Sequence, residues 1–513
     1  MKPKDKPVLE SFWRTIWRDS RVRAVLALGI IVRLLILGYL TVHPAGIFAK
    51  GDSKDYLQLA QNLLYYQSFG RAEISPKAIQ KPVVRPRDEG ERASLIPETF
   101  RTPVYPAFLT VVYGVSGSPV VAVTVQSLIS LLTVWLIILL MARLFRSSAA
   151  WLAGLLAALD PLSLTYTHQL MTESLFLCFM VLGVYVFLTL MITDGQGKSS
   201  LAWPVLGGLA LGLAALTRPV GIYFPLFLLG LWMVGVFLGV WQKLRDRTVR
   251  AGIEPGSPVI RRFGAASKAV IIFVAVSFLP LALWSVRNHH HYNRFIVSTC
   301  ADHNLLVTIT AHMVAKIRNP EGNISSWQIF EEIEQQLEAQ MASQGFKNPT
   351  EPEKADYFRT WSLQVIKSQP MLFLQYYFKG MVILFIPDVA GFFELFGFTQ
   401  EGKGALGAVF RQGLQAALTR YFGEHWPFWV AAALPLIIFE LGVYGLAVIG
   451  IAALWRSRDF YLLFILLAII GYWLALAAIG AAPRYRAPVM PFLDLLAAWG
   501  LFTFGSRSWV GSR

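Results

Sequence analysis

Ten apolar runs constrain this chain more than any motif in it. They lie near 24–42, 119–142, 149–167, 170–192, 201–217, 219–241, 269–287, 429–455, 460–480 and 487–505. Each is about 17–27 residues long, enough for a helix rising about 1.5 Å per residue to cross roughly 30 Å of hydrocarbon. Only 15% of the 513 residues are charged and 55% are hydrophobic, whereas a soluble chain carries about 25% charged residues. The expected fold is therefore an all-α polytopic membrane protein. It would be a bundle of about 10–11 transmembrane helices.

The net charge of +15 is no sign of nucleic-acid binding. Much of the basic excess flanks apolar runs, where it orients helices and touches anionic lipid. Arg14, Arg18, Arg21 and Arg23 precede the first run, which predicts a cytoplasmic tail over 1–23. Alternation then puts Arg143 and Arg146, the basic loop 242–268, Arg456 and Arg458, and the tail with Arg507 and Arg513 on the same side. Two large regions, about 43–118 and 288–428, are left outside. The membrane module would run over 24–287, and the C-terminal helices and tail over 429–513. The first run is longer than a signal-peptide core, and no Ala-x-Ala site follows it, so it reads as an uncleaved first helix. The run 371–387 is short and carries Lys379 midway. Spanning there would invert the later charge pattern, so it reads as an interfacial or partly inserted helix. Stretches 326–344 and 406–422 read as external helices. Asn323-Ile324-Ser325 fits a glycosylation acceptor, a motif short enough to recur by chance.

Ionisable groups near hydrocarbon need partners or functions. Asp52 and Asp55 lie in Gly51-Asp52-Ser53-Lys54-Asp55-Tyr56, soon after the first run. Arg101 and Tyr105 lie in Arg101-Thr102-Pro103-Val104-Tyr105-Pro106, before the second. Asp160 and Glu173 flank the turn between the third and fourth runs. Arg218 follows the short fifth run, and Arg484, Tyr485 and Arg486 precede the last. All these fall on the outer face, where arginines against the charge trend suit an anionic head group. Each also has a plainer role. Asp160-Pro161 can end one helix and start another. Glu173 can complement a helix N-terminus. Arg218 can snorkel. Arg484 and Arg486 can hold lipid or internal acids, and Lys54 and Asp55 can form a solvated pair. Arg33, mid-run, can pair with a buried acid or snorkel. His289-His290-His291 lacks metal-ligand spacing and reads, with Trp284 and Tyr292, as an interfacial collar. Cys178 and Cys300 give no disulfide framework.

With those residues placed, the chain resembles the GT-C superfamily of polyprenyl-phosphate-sugar glycosyltransferases. It is similar to the branch of protein O-mannosyltransferases and lipid A aminoarabinose transferases. The resemblance is carried by Gly51-Asp52 with Tyr56, by Arg101-Thr102-Pro103-Val104-Tyr105-Pro106, and by Asp160-Pro161 through Glu173-Ser174. Leu209 through Thr217-Arg218-Pro219, and Pro483-Arg484-Tyr485-Arg486-Ala487-Pro488, complete it. Val104 stands where the family has glycine. Region 288–428 matches no subfamily.

The resemblance implies a GT-C-type bundle with an active site under the first external loop, on the periplasmic side of a bacterial inner membrane. The donor would be a polyprenyl-phosphate-linked sugar, and the acceptor a lipid, glycan or protein. It matches Asp52 to the family's first-loop aspartate and Glu173 to its second acid. Asp52 would be the base, with Glu173 assisting. Arg218, Arg484 and Arg486 would hold the lipid phosphate, and Asp55, Tyr56, Arg101, Tyr105 and Tyr485 would line the site. One carboxylate base in a single displacement inverts the anomeric centre. No cofactor is required, although Asp52, Asp55 and Glu173 suit a hard divalent cation. A lipid or sugar transporter, or a glycan polymerase or ligase, are the alternatives.

Overall fold

The computed structural model describes residues 8–72, 95–192, 201–239, 259–318, 326–346, 348–398, 415, 419, 426–480 and 482–510. An amphipathic helix α1 (Val8–Arg18) leads into the first long apolar helix α2 (Ser20–Val42). Asp19 starts α2 by accepting from the Arg21 backbone N–H at 2.9 Å, which satisfies one of the free amides of the first turn. Helix α3 (Gly51–Tyr66), a two-stranded hairpin and α4 (Val104–Ser116) then fill the first loop region. In the hairpin, Arg71 of β1 (Gly70–Ala72) pairs with Ile96 of β2 (Leu95–Pro97).

The bundle continues with α5 (Pro119–Leu144), α6 (Ala150–Leu159), α7 (Pro161–Thr167), α8 (Glu173–Ile192), α9 (Ala202–Thr217), α10 (Phe224–Phe237) and α11 (Val259–Tyr292). Short helices α12 (Cys300–Asn304) and α13 (Ala311–Arg318) follow, joined by a π-helical turn at Leu305–Thr310. Then come α14 (Ser326–Ser343), α15 (Glu351–Ser368), α16 (Pro370–Leu384) and α17 (Val389–Leu395). The chain returns to the bundle in α18 (Trp426–Arg456), α19 (Phe460–Ala477) and α20 (Met490–Val510).

Each of the ten expected runs has an apolar helical counterpart among the described residues. Among the described residues seven helices are long and apolar enough to cross a membrane, or eight if the bent pair below is one span. The run 149–167 is the exception in shape. It is broken at Asp160-Pro161, where α6 and α7 meet at a bend of 53°. Pro161 cannot donate to the preceding turn, and the Asp160 carboxylate caps the new helix by accepting from Ser163 N–H at 3.0 Å. The runs 201–217 and 487–505 appear as shorter apolar helices. The protein is thus an all-α integral membrane protein, with one small hairpin among the described residues.

Glycine lets two helix pairs approach closely. A Cβ on Gly208 of α9 would lie 2.4 Å from the Phe273 carbonyl oxygen of α11. One on Gly450 of α18 would lie 2.0 Å from that of Leu496 in α20. Without a hydrophobic drive between helices in lipid, such backbone proximity supplies the packing.

Between 288 and 398, α12–α15 pack around Leu306, Ile329, Phe330, Ile333, Leu337 and Phe358. Helix α14 matches the expected 326–344. Helix α15 was not foreseen, although Thr350 and Glu353 form a capping box at its start. Helix α16 has 15 residues, about 22 Å of helix. That length is short of the roughly 30 Å hydrocarbon core. Most of the expected helix 406–422, and the Asn323 motif, lie outside the described residues.

Candidate active site

The site is assembled from connecting segments at one end of the bundle. Helix α3 carries Asp52 and Asp55 one turn apart, so both face the same way. Arg101 lies between them. Its Nη2 donates to Asp52 Oδ1 at 2.7 Å and its Nε to Asp55 Oδ2 at 2.8 Å. Its Nη1 reaches the Tyr56 hydroxyl at 3.2 Å, and the guanidinium lies 4.8 Å from that ring's centre. From the far end of the chain, Arg484 Nη1 donates to Asp52 Oδ2 at 3.0 Å. Each oxygen of Asp52 thus has its own guanidinium. The Asp52 side chain remains about a quarter exposed, at 26%, so it is open to a ligand.

Burial opposes ionisation of Asp52, but Arg101 and Arg484 outweigh it and hold the carboxyl well below the usual carboxylate range. Burial pushes the Tyr56 hydroxyl up to about 12, so it stays a neutral phenol. Tyr105 is fully buried beneath it. It meets Tyr56 edge to face at 5.0 Å and donates to Gln126 Oε1 at 2.6 Å. Tyr105 therefore supports the floor of the site rather than facing its opening.

Across the opening, Arg218 is ion-paired with Glu173. The Tyr485 ring lies between the two arginine positions, 5.6 Å from the Arg218 guanidinium and 5.0 Å from that of Arg484. Arg484 Nη2 also donates to the Tyr485 hydroxyl at 3.1 Å. Glu173 is both the first acid of α8 and the partner of Arg218. Glu173 therefore keeps its plainer reading as a helix-start acid, while Arg218 pairs with it instead of snorkelling.

Arg486 does not join this group. It is fully buried, paired with Glu440 and bonded to the carbonyls of Leu384 and Ile386. It was expected on the lipid phosphate beside Arg484. In the short 3₁₀ turn Pro483–Arg486, however, the two arginines point to different neighbours. Removing one member of a buried pair strands the other charge, at about 3–5 kcal/mol. Arg486→Ala is therefore expected to lower thermal stability in detergent far more than Arg484→Ala. Equal melting temperatures for the two variants would contradict this.

Asp55 does not take its plainer reading. Its partners are Arg101 and Arg71, the latter at 2.5 Å, in place of the solvated pair with Lys54. Arg71 also pairs with Glu98, whose Oε1 accepts the backbone N–H groups of Phe100 and Arg101 at 2.5 and 2.9 Å. A charged chain thus runs from the hairpin to Asp52, and neither Arg71 nor Glu98 was foreseen. The segment 298–304 was missed too. Ser298 donates to the Phe100 carbonyl at 2.6 Å and the Thr299 N–H to that of Thr99 at 3.0 Å. This places Cys300 within electrostatic reach of Arg101, Asp52 and Arg218, and burial pushes its thiol up. Both cysteines are free. Region 288–428 therefore contributes to the site, although its sequence carries no recognisable motif.

Arg33 is buried and does not snorkel. It donates to Ser130 Oγ at 2.8 Å and to the carbonyls of Gly29 and Ala158 at 3.1 Å. With Tyr166, Glu173 and Asp494 it lines a cavity of about 20 Å³ below the site. That volume takes a water and not a sugar ring. His289 stacks on Phe295 at 4.1 Å, and Trp284 receives Arg287 at 4.8 Å. Among the described residues no three His, Cys, Asp or Glu side chains converge as metal ligands. Asp52, Asp55 and Glu173 each face a guanidinium instead.

Residues 100–251 match the family model of dolichyl-phosphate-mannose-protein mannosyltransferases. No match is found among curated proteins. Among solved structures, the chain is similar to the oligosaccharyltransferase AglB of Archaeoglobus fulgidus in complex with an inhibitory peptide and a dolichol-phosphate. The identity is 15% and the TM-score 0.48, over 97% of this chain and 52% of that one. ArnT of Cupriavidus metallidurans bound to undecaprenyl phosphate is 17% identical with a TM-score of 0.36, over 94% and 79%. The chain thus spans about half the length of the archaeal enzyme. The matched family segment contains Arg101, Glu173 and Arg218.

Proposed function

We propose that this protein is a membrane glycosyltransferase that moves a sugar from a polyprenyl phosphate to an acceptor hydroxyl. The observation that carries the proposal is the pairing of an accessible carboxylate, Asp52, with Arg484, beside a second arginine–acid pair, Arg218 and Glu173. A transfer of this kind needs a proton acceptor for the nucleophile and cations for the departing phosphate, and both are present at one opening.

In the proposed step the acceptor oxygen attacks the anomeric carbon as the bond from that carbon to the phosphate oxygen breaks. The bonding pair leaves with the polyprenyl phosphate, where Arg218 and Arg484 stabilise the added charge. The hydroxyl proton passes to Asp52. A single displacement inverts the anomeric centre. Tyr485, between the arginines, fixes their spacing, and Tyr56 and Arg101 orient Asp52. A divalent cation is a further proposal, since the carboxylates would have to leave their arginines to hold one.

The test is purified protein given a labelled polyprenyl-phosphate sugar, with and without chelator. Transfer or slow hydrolysis supports the enzyme, and loss on chelation would add the cation. The bend at Asp160-Pro161 favours one rival, because broken helices build transporter sites. Binding without turnover in the same assay would favour that rival.

We also propose that the site faces the periplasm of a bacterial inner membrane, with the N- and C-termini cytoplasmic, on the strength of the charge asymmetry. Ser343 and Ser148 are both exposed, one in the external helical region and one in the loop with Arg146. An impermeant thiol reagent added to intact cells should label Ser343→Cys and spare Ser148→Cys. The reverse pattern would invert the topology.

A further inference from the structure

We infer that the donor phosphate displaces Asp52 from Arg484, so that binding the donor is what frees the base. This rests on the proposed glycosyltransferase reading and adds an order of events to it. In the empty site both oxygens of Asp52 are occupied, Oδ1 by Arg101 and Oδ2 by Arg484. A carboxylate held by two guanidiniums is charged but a poor proton acceptor. The two arginines are not equivalent. Arg101 is anchored independently of Asp52, by Asp55 and the Tyr56 hydroxyl. Among the described residues Arg484 forms its ion pair with Asp52 and a hydrogen bond with Tyr485, with Glu173 acting on it at longer range. Arg218 has its own acid in Glu173.

A phosphate seated beside Tyr485 would therefore meet one arginine whose acid is part of the reaction centre. Guanidinium binds phosphate through paired, charge-assisted bonds. When Arg484 turns to it, the phosphate takes over the pairing and Oδ2 of Asp52 is released. Arg101 continues to hold Oδ1 and keeps the carboxylate aimed. Around Asp52 the other groups are Asp55, Tyr56, a neutral phenol, the Cys300 thiol and, across the opening, Arg218 paired with Glu173. Arg218 is already paired with Glu173 and the other groups carry no positive charge, so the released oxygen gains basicity. Donor would precede acceptor.

The exchange makes an unusual prediction. Asp52 competes with the phosphate for Arg484, so removing its charge should tighten phosphate binding while abolishing turnover. The measurement is binding of undecaprenyl phosphate, and separately of inorganic phosphate, to full-length protein in detergent. Asp52→Asn should bind roughly tenfold tighter or better than wild type. Asp55→Asn removes the same charge one turn away without freeing Arg484, and should shift binding much less. In an Arg484→Gln background, Asp52→Asn should have no further effect, because the pair is already broken.

Unchanged or weaker binding by a folded, monodisperse Asp52→Asn protein would overturn the exchange. So would equal tightening in Asp52→Asn and Asp55→Asn, which would mark simple charge repulsion. The same order of affinities with inorganic phosphate would support the exchange and make the phosphate group the trigger. Its restriction to the lipid would support the exchange with a membrane-borne donor. Wild-type protein that binds neither probe would instead remove the glycosyltransferase reading on which the inference rests.

Discussion

Asp52→Asn should reduce sugar transfer by about 10²–10⁴ while the protein remains folded and still takes up the donor lipid. The substitution keeps the shape of the side chain and both of its neighbours, Arg101 and Arg484, but removes the proton acceptor. Rates should be measured in detergent at matched protein amounts with saturating donor. Asp55→Asn should be milder, because Asp55 acts through Arg101 and Arg71. The pH dependence follows from the same pairings. A carboxyl held below its usual range is charged at and above that range, and loses its charge only as pH falls through the lowered value. Protonation of Asp52 in the empty site should therefore cost neither activity nor stability between pH 7 and 5. Near-normal transfer by Asp52→Asn would move the base to Asp55 or Glu173.

The second large effect concerns the arginines. Arg218→Ala and Arg484→Ala should each lower kcat/KM for the lipid-linked donor by about 30- to 1,000-fold, the loss of about 2–4 kcal/mol at the transition state. Lysine should restore part of the activity at either position, since a point charge still meets the phosphate but without the paired geometry. Arg218→Ala has a second consequence. It leaves Glu173 buried without its cation, so some loss of stability is expected there that Arg484→Ala should not share, because Asp52 keeps Arg101. If both alanine variants use donor normally, the arginines are structural and the phosphate is held elsewhere.

Membrane architecture was legible in the chain because hydrocarbon imposes a minimum length and a maximum polarity on every span. The apolar runs therefore appear as helices, and the one that breaks does so at a proline. Asp52, Arg101, Glu173, Arg218 and Arg484 were legible as well, since charged groups beside hydrocarbon stand out by their cost. What each of them touches was not legible. Arg484 and Arg486 are two residues apart in one turn, yet one meets Asp52 and the other Glu440, more than 40 residues before it in the chain. Arg71, Glu98 and Ser298–Asn304 reach the site through folds of polar loops, where no period or motif marks the residues that will meet. Composition and hydropathy follow from local chemistry and are written along the chain. The choice of partner for each arginine depends on which distant segments pack together, and only the tertiary structure decides that.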